Sequence, residues 1–410
     1  MRVLRVTLFL ALTLWLQAPS FSQAASAPNA AVTTIVLWHA YRAEEKRALE
    51  MVVSAYNRTH KTTQIKMLGI PYDAYADKIN NAIPRGHGPD LFIFAHDRVG
   101  DWAKNGVIEK ITFWVDGTLL SRFIPKTVRM LAYNNALYGL PLAFKSLALF
   151  YNKKLLKNPP KTTDEMIKIA KAMTDRKKQK FGLAYEATDL YRHVIWLHGF
   201  GGYTIKNSVL GVKDDASAKA LNFAYSLKKK HQILPDEPTS QLITFLFNKS
   251  KTAMVINGPW FRGEINPKVD YGVVPLPIVN ATKKPAAPFL TSEAVFLSAK
   301  SKHQRLAFEA MKYLTSDVSA RIRMKVGKQT VANNATYQAD FAKKDPVVQA
   351  FYKQMEVAVP TPNTPKMRLV WSPMVIALSK VFRGQGTAKD ALLEAYTEIT
   401  KLLKVTKPKK

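Results

Sequence analysis

The sequence of 410 residues contains no cysteine. That excludes disulfides, thiolate metal sites, a cysteine nucleophile and the lipid-carrying cysteine of a bacterial lipoprotein. Acidic residues are scarce: 30 Asp and Glu stand against 61 Lys and Arg, for a formal charge of +31. Such a field attracts polyanions but does not specify a fold. The basic residues are spread through helices and loops instead of concentrated on one element, so no specific nucleic-acid partner is expected. Beyond the N-terminus no run is long and apolar enough to span a bilayer. Catalytic signatures are also missing: there is no H-E-x-x-H, no P-loop, no G-x-G-x-x-G after a strand and no G-x-S-x-G. The eight histidines do not cluster at metal-ligand spacing. His193 and His198, five apart, share no helix face well. The expectation is a protein that is not an enzyme and carries no cofactor or metal.

What is present begins with a targeting signal. Arg2 and Arg5 precede an apolar run from Val6 to Leu16, and Ser22-Gln23-Ala24 fits a small-x-small cleavage site. Cleavage after Ala24 predicts an exported, soluble, periplasmic protein and lowers the formal charge from +31 to +29. The hydrophobic fraction of 47% is that of an ordinary folded chain. The length fits two or three domains at roughly 100–200 residues each.

Short apolar runs at Ile35–Trp38, Gln64–Ile70 and Leu91–Phe94 read as strands. Helical spacing at Ala43–Tyr56 and Asp73–Ile83 separates them, a pattern of parallel βαβ units. Tyr133–Phe144 reads as a hairpin turning at Asn134-Asn135. Strands are expected at Ser146–Tyr151, Phe181–Tyr185, Thr252–Ile256, Tyr271–Val274 and Glu293–Leu297. Thr162 and Glu165 form a capping-box pattern. Everything beyond Leu297 reads as helix. No linker divides the chain, so two domains would be joined by several crossings.

Four segments together resemble one family. GPDLFIFAHDR at 88–98, LPLAFKSLALFYNKKLLKNPPKTTDEM at 140–166, FNKSKTAMVINGPW at 247–260 and VPTPNTPKMRLVW at 359–371 are similar, in order and spacing, to the maltose/maltodextrin-binding proteins of ABC importers. These are family 1 extracellular solute-binding proteins. The resemblance covers nearly the whole mature chain. It implies an α/β, two-lobe periplasmic binding protein fold of type II, with the ligand cleft between lobes joined by hinge segments. The expected N-terminal lobe is 32–143 with 295–343, the C-terminal lobe 148–289 with 346–404, and the hinges lie near 144–147, 290–294 and 344–346. The implied partners are maltose, maltodextrin or a related oligosaccharide, and ABC permease subunits with a cytoplasmic ATPase. A monomer is expected.

A sugar cleft wants aromatic platforms for ring faces and forked polar groups for hydroxyls. The resemblance places platforms at Phe94, Tyr191, Trp260 and Trp371, with Phe94 where the family often has tryptophan. It gives hydroxyl contacts to Asp97, Arg98 and Asp189; Asp189 also suits a helix N-cap. Two positions depart from the family pattern. Lys145 stands where a glutamate binds sugar, and Arg42 replaces an aspartate, with Ala43 in place of the following lysine. Both shift the cleft toward positive charge. A buried lysine needs a partner, and Asp189, Glu293 or an anionic ligand could supply it. The alternatives are thus a receptor for an acidic sugar or other anionic solute, and a basic exported protein that has lost transport.

Overall fold

The computed structural model describes residues 32–405; the expected signal peptide, residues 1–24, lies outside them. The chain begins with β1 (Thr33–His39), α1 (Ala43–Thr59), β2 (Thr63–Gly69), α2 (Tyr72–Ala82) and β3 (Leu91–Ala95). β1 runs parallel to both β2 and β3 and lies between them. α1 forms because Ala48, Leu49, Val52, Val53 and Tyr56 fall on one buried face. Glu44 and Glu45 in its first turn complement the positive end of the helix. A single 3-10 turn, His96–Arg98, connects β3 to α3 (Val99–Lys104). A small hairpin at 132–137 turns on Asn134 and Asn135, both at positive φ, and leads into β4 (Gly139–Lys145).

After Lys145 the chain crosses to a second sheet. β5 (Ala148–Asn152), α4 (Thr163–Met173), β6 (Phe181–Ala184), α5 (Leu190–Gly199), α6 (Asp215–Lys229), α7 (Ser240–Asn248), β7 (Thr252–Asn257) and β8 (Tyr271–Val274) follow. The strand order is β8–β5–β7–β6, with β6 and β7 parallel. Every residue of β7 is buried, as expected of a strand covered on both faces. Thr162 caps α4 by accepting the Glu165 N–H, but the Glu165 carboxylate accepts from Lys161 N at 2.8 Å. The expected capping box is therefore displaced by one residue on its return arm.

β9 (Phe289–Leu297) returns to the first sheet and is buried at all nine positions. It pairs antiparallel with β3 and with β4. Its register against β4 slips between Glu293 and Ala294, opposite Pro141. Proline cannot donate to a ladder, and a bulge there re-aims the neighbouring side chains. α8 (Gln304–Leu314), α9 (Asp317–Lys325) and α10 (Pro346–Val357) come next, then β10 (Val359–Pro360), α11 (Trp371–Phe382) and α12 (Ala388–Val405). β10 is the exception to the all-helical expectation; its two residues pair in parallel with Phe289 and Leu290 and are too few to show a period.

One apolar core surrounds the first sheet, and a second packs residues 147–289 with 367–399 around the other. A third, including Phe144, Phe150, Val255, Leu290 and Phe351, fills the region where strands pass between them. No helix among the described residues is long and apolar enough to cross a membrane.

Candidate functional site

The parallel strands aim their carboxyl ends at a common space, where ligands of open α/β sheets bind. Beyond β1 stand Tyr41 and Glu45, beyond β2 Tyr72, beyond β3 Asp97 and Arg98, and Lys145 closes β4. From the second sheet, Asp189 and Tyr191 follow β6, and Trp260 follows β7. Trp371 opens α11. The two sides are close enough that Lys145 and Tyr72 act electrostatically on Tyr191.

The aromatic side is one connected group. The Tyr191 ring lies 6.3 Å from Trp260 and 6.3 Å from Phe289, and Phe289 lies 6.2 Å from Trp371. Phe289 is fully buried behind Tyr191 and Trp371, and the three outer rings are half-buried. The Trp260 indole folds over Gly258, so a Cβ there would collide with its ring carbons. The Tyr191 hydroxyl is buried beside Thr291 without a well-formed hydrogen bond. Such a group gains from a ligand hydroxyl.

Phe94 requires a correction. It is only 7% exposed, wedged against Tyr75 and Trp102 at 5.4 and 5.0 Å. Tyr72 stacks on it at 6.2 Å, tilted by 6°, and is itself 64% exposed. The ring that faces the space is therefore Tyr72. Surrounding protein, with Asp97 adding to it, raises the Tyr72 phenol.

The floor is polar and charge-balanced. Lys145 Nζ lies 2.8 Å from Glu293 and 3.4 Å from Glu45. Tyr41 donates to Glu293 at 2.5 Å, and Gln329 donates to Glu45 at 3.2 Å. Arg323, 1% exposed, donates to both Tyr41 and Gln329 at 3.2 Å. Desolvation pushes Lys145 down, but Glu293 and Glu45 outweigh it and hold the ammonium well above its ordinary range. Burial raises Glu45 despite Lys145 beside it. Two carboxylates and two cations thus neutralise one another.

A sequence model described as "Bacterial extracellular solute-binding protein" matches residues 40–321. The chain belongs to this family. A maltotriose-binding protein of Pyrococcus abyssi is 27% identical over 372 residues, covering 89% of this chain and 81% of the relative. A maltooligosaccharide ABC transporter solute-binding lipoprotein of Streptococcus pneumoniae is 27% identical over 373 residues, covering 88% and 86%. Among solved structures, the Thermus thermophilus maltotriose-binding protein bound with maltotriose superposes with a TM-score of 0.82 at 28% identity, covering 90% of this chain and all of that one. The architecture is the two-lobe α/β periplasmic binding fold, and the family binds solutes; it is not a family of enzymes.

The remaining predicted residues of this solute-binding protein are placed as follows. Burial lifts Asp97 to about 6, with Arg98 opposing. Asp189 caps α5, accepting Arg192 N at 3.1 Å and its guanidinium at 3.0 Å. It does not reach Lys145, whose partners are Glu293 and Glu45. Arg42 is exposed at the start of α1, and its side chain makes no capping bond. Among the described residues no group of His, Cys, Asp or Glu could hold a metal.

Sequence reasoning missed Tyr41, Glu45, Tyr72, Phe289, Arg323 and Gln329. Tyr41 and Tyr72 carried a usable signal, since each follows a predicted parallel strand directly. Glu45 looked like an ordinary first-turn acid. Arg323 and Gln329 lie far along the chain in a stretch with no motif.

Proposed function

We propose that this chain binds a malto-oligosaccharide in the cleft between its lobes and delivers it to the permease of an ABC importer, whose cytoplasmic ATPase drives uptake. It would act in the periplasm as a monomer, after loss of residues 1–24. The lobes would hinge near 144–147, 290–294 and 344–346. The observation that carries this reading is the aromatic group of Tyr191, Trp260 and Trp371 facing Tyr72 over a neutral polar floor. Rings of sugar stack on such platforms, and their hydroxyls take donors and acceptors from Asp97, Arg98, Glu45 and Lys145. The ligands named for the similar proteins support it. Because Glu293 and Glu45 already satisfy Lys145, an anionic ligand is not needed to balance the cleft.

The test is calorimetry with maltotriose on the mature chain. Trp260→Ala should lower affinity by roughly thirtyfold or more, the loss of an aromatic hot spot worth about 2 kcal/mol, while leaving the melting temperature of the free protein close to that of the parent. Unchanged affinity would overturn the assignment.

A further inference from the structure

A second concavity has its own lining. Its volume is about 940 Å³, and none of Tyr72, Lys145, Tyr191, Trp260 or Trp371 lines it. One wall is α3 and the 132–137 hairpin, including Lys104 and Tyr133. The other is the segment leading into α11, with Lys366 and Arg368. Beside the groove the two walls are tied together: Asn363 Nδ2 donates to Met130 O at 3.0 Å and Ala132 O at 2.8 Å, while Gly100 N donates to Asn363 O at 3.0 Å. The groove therefore lies between two segments distant in the chain, 101–138 and 364–369, with Ser208 and Leu403 beside the second.

We propose that this groove binds an acidic oligosaccharide. Lys104, Lys366 and Arg368 make no ion pair or hydrogen bond among the described residues, against a single lining carboxylate, Asp101. Asp101 is itself engaged by Asn105 at 3.3 Å. Three unpaired cations around one concavity form a site for several spaced anionic groups. Tyr133 and Tyr138 supply ring faces, and Asn134, Ser208 and Thr364 supply polar groups for hydroxyls. That combination of ring faces, hydroxyl partners and separated cations matches a chain of acidic sugars better than a lone phosphate or sulfate. The volume suits a ligand of two or three rings, within the roughly 300–1,000 Å³ of ordinary small-molecule sites. The proposal is independent of the maltotriose reading.

The experiment is titration of the full mature chain with trigalacturonic acid, followed by calorimetry at low and physiological salt. The parent should bind, more weakly as salt rises. Lys104→Gln with Lys366→Gln and Arg368→Gln should weaken that binding at least tenfold and leave maltotriose affinity unchanged. Trp260→Ala should bind trigalacturonic acid as the parent does. Equal binding by the triple variant would overturn the proposal. So would loss of trigalacturonic acid binding in Trp260→Ala, which would put the acid in the main cleft, or complete displacement by millimolar sulfate, which would reduce the groove to an ion site.

Discussion

Lys145 lies 2.8 Å from one carboxylate oxygen of Glu293, whose other oxygen accepts the Tyr41 hydroxyl at 2.5 Å. Glu293 sits where the β9 register slips against β4 next to Pro141, so a backbone irregularity and an ion pair meet at one point of the strand. The pair is mostly buried, with side-chain exposures of 21% and 11%. Removing one partner of such a pair leaves an uncompensated charge, a loss of about 3 kcal/mol at the lower end of the usual range. Lys145→Met should therefore destabilise the protein by about that amount in urea unfolding. Adding Glu293→Gln should recover part of the loss, because the two residues are directly coupled. A Lys145→Met protein as stable as the parent would contradict the pairing.

Gly258 owes its identity to the ring above it. Its backbone is extended, with φ −95° and ψ 178°, a conformation any residue adopts. Only the Trp260 indole, which occupies the Cβ position, stands against a side chain. Gly258→Ala should therefore displace the indole without straining the backbone. Maltotriose affinity should fall about tenfold, while Trp260→Ala falls further. Binding by Gly258→Ala equal to the parent would show that Trp260 does not stack on the ligand in this position.

Tyr72 and Phe94 separate platform from core. Tyr72→Ala removes an exposed ring and should change stability by no more than about 0.5 kcal/mol, yet lower maltotriose affinity about tenfold. Phe94→Ala should cost roughly 3–5 kcal/mol of stability as a core truncation. The reverse pattern would restore Phe94 as the platform.

How legible this was in the sequence depends on distance along the chain. β1, α1, β2, α2 and β3 are local patterns, and each was readable within a few residues of its ends. The sequence placed Trp260 and Trp371 through a recognisable segment each, and the rings do join one group with Tyr191 and Phe289; no local pattern shows that they stack on a ligand. The floor was not readable. Lys145 meets Glu45 across 100 residues, and Arg323 meets Tyr41 across 282. No single-chain periodicity reports such a contact. Phe94 failed for a related reason: the motif fixed the position, but whether a ring is covered depends on Tyr72, which another element supplies. β10 failed because two residues pair only through the tertiary arrangement of β9.

Buried histidines set the acid limit of the fold. Burial lowers His39, His96 and His198 to about 4 and His193 to about 3. An unfolded imidazole titrates near 6.5, so the unfolded chain takes up protons first as the pH falls. Stability present above pH 6.5 is therefore lost toward pH 4, each histidine contributing up to about 1.4 kcal/mol per pH unit. Asp97, lifted to about 6, acts in the opposite sense between pH 6 and its ordinary value of 3.8, but one such carboxylate does not offset four imidazoles. His96 has a further geometric reason. Its Nδ1 accepts Ser292 N at 3.1 Å and its Nε2 donates to Thr361 O at 2.8 Å, tying the end of β3 to β9 and to the residue after β10. Protonation would turn Nδ1 into a donor facing another N–H, and the clamp would open. Urea midpoints should fall steadily from pH 6.5 to 4.5, and His96→Gln should flatten that slope by about a quarter. A profile level down to pH 5 would mean that these imidazoles titrate normally and that the fold does not hold them neutral.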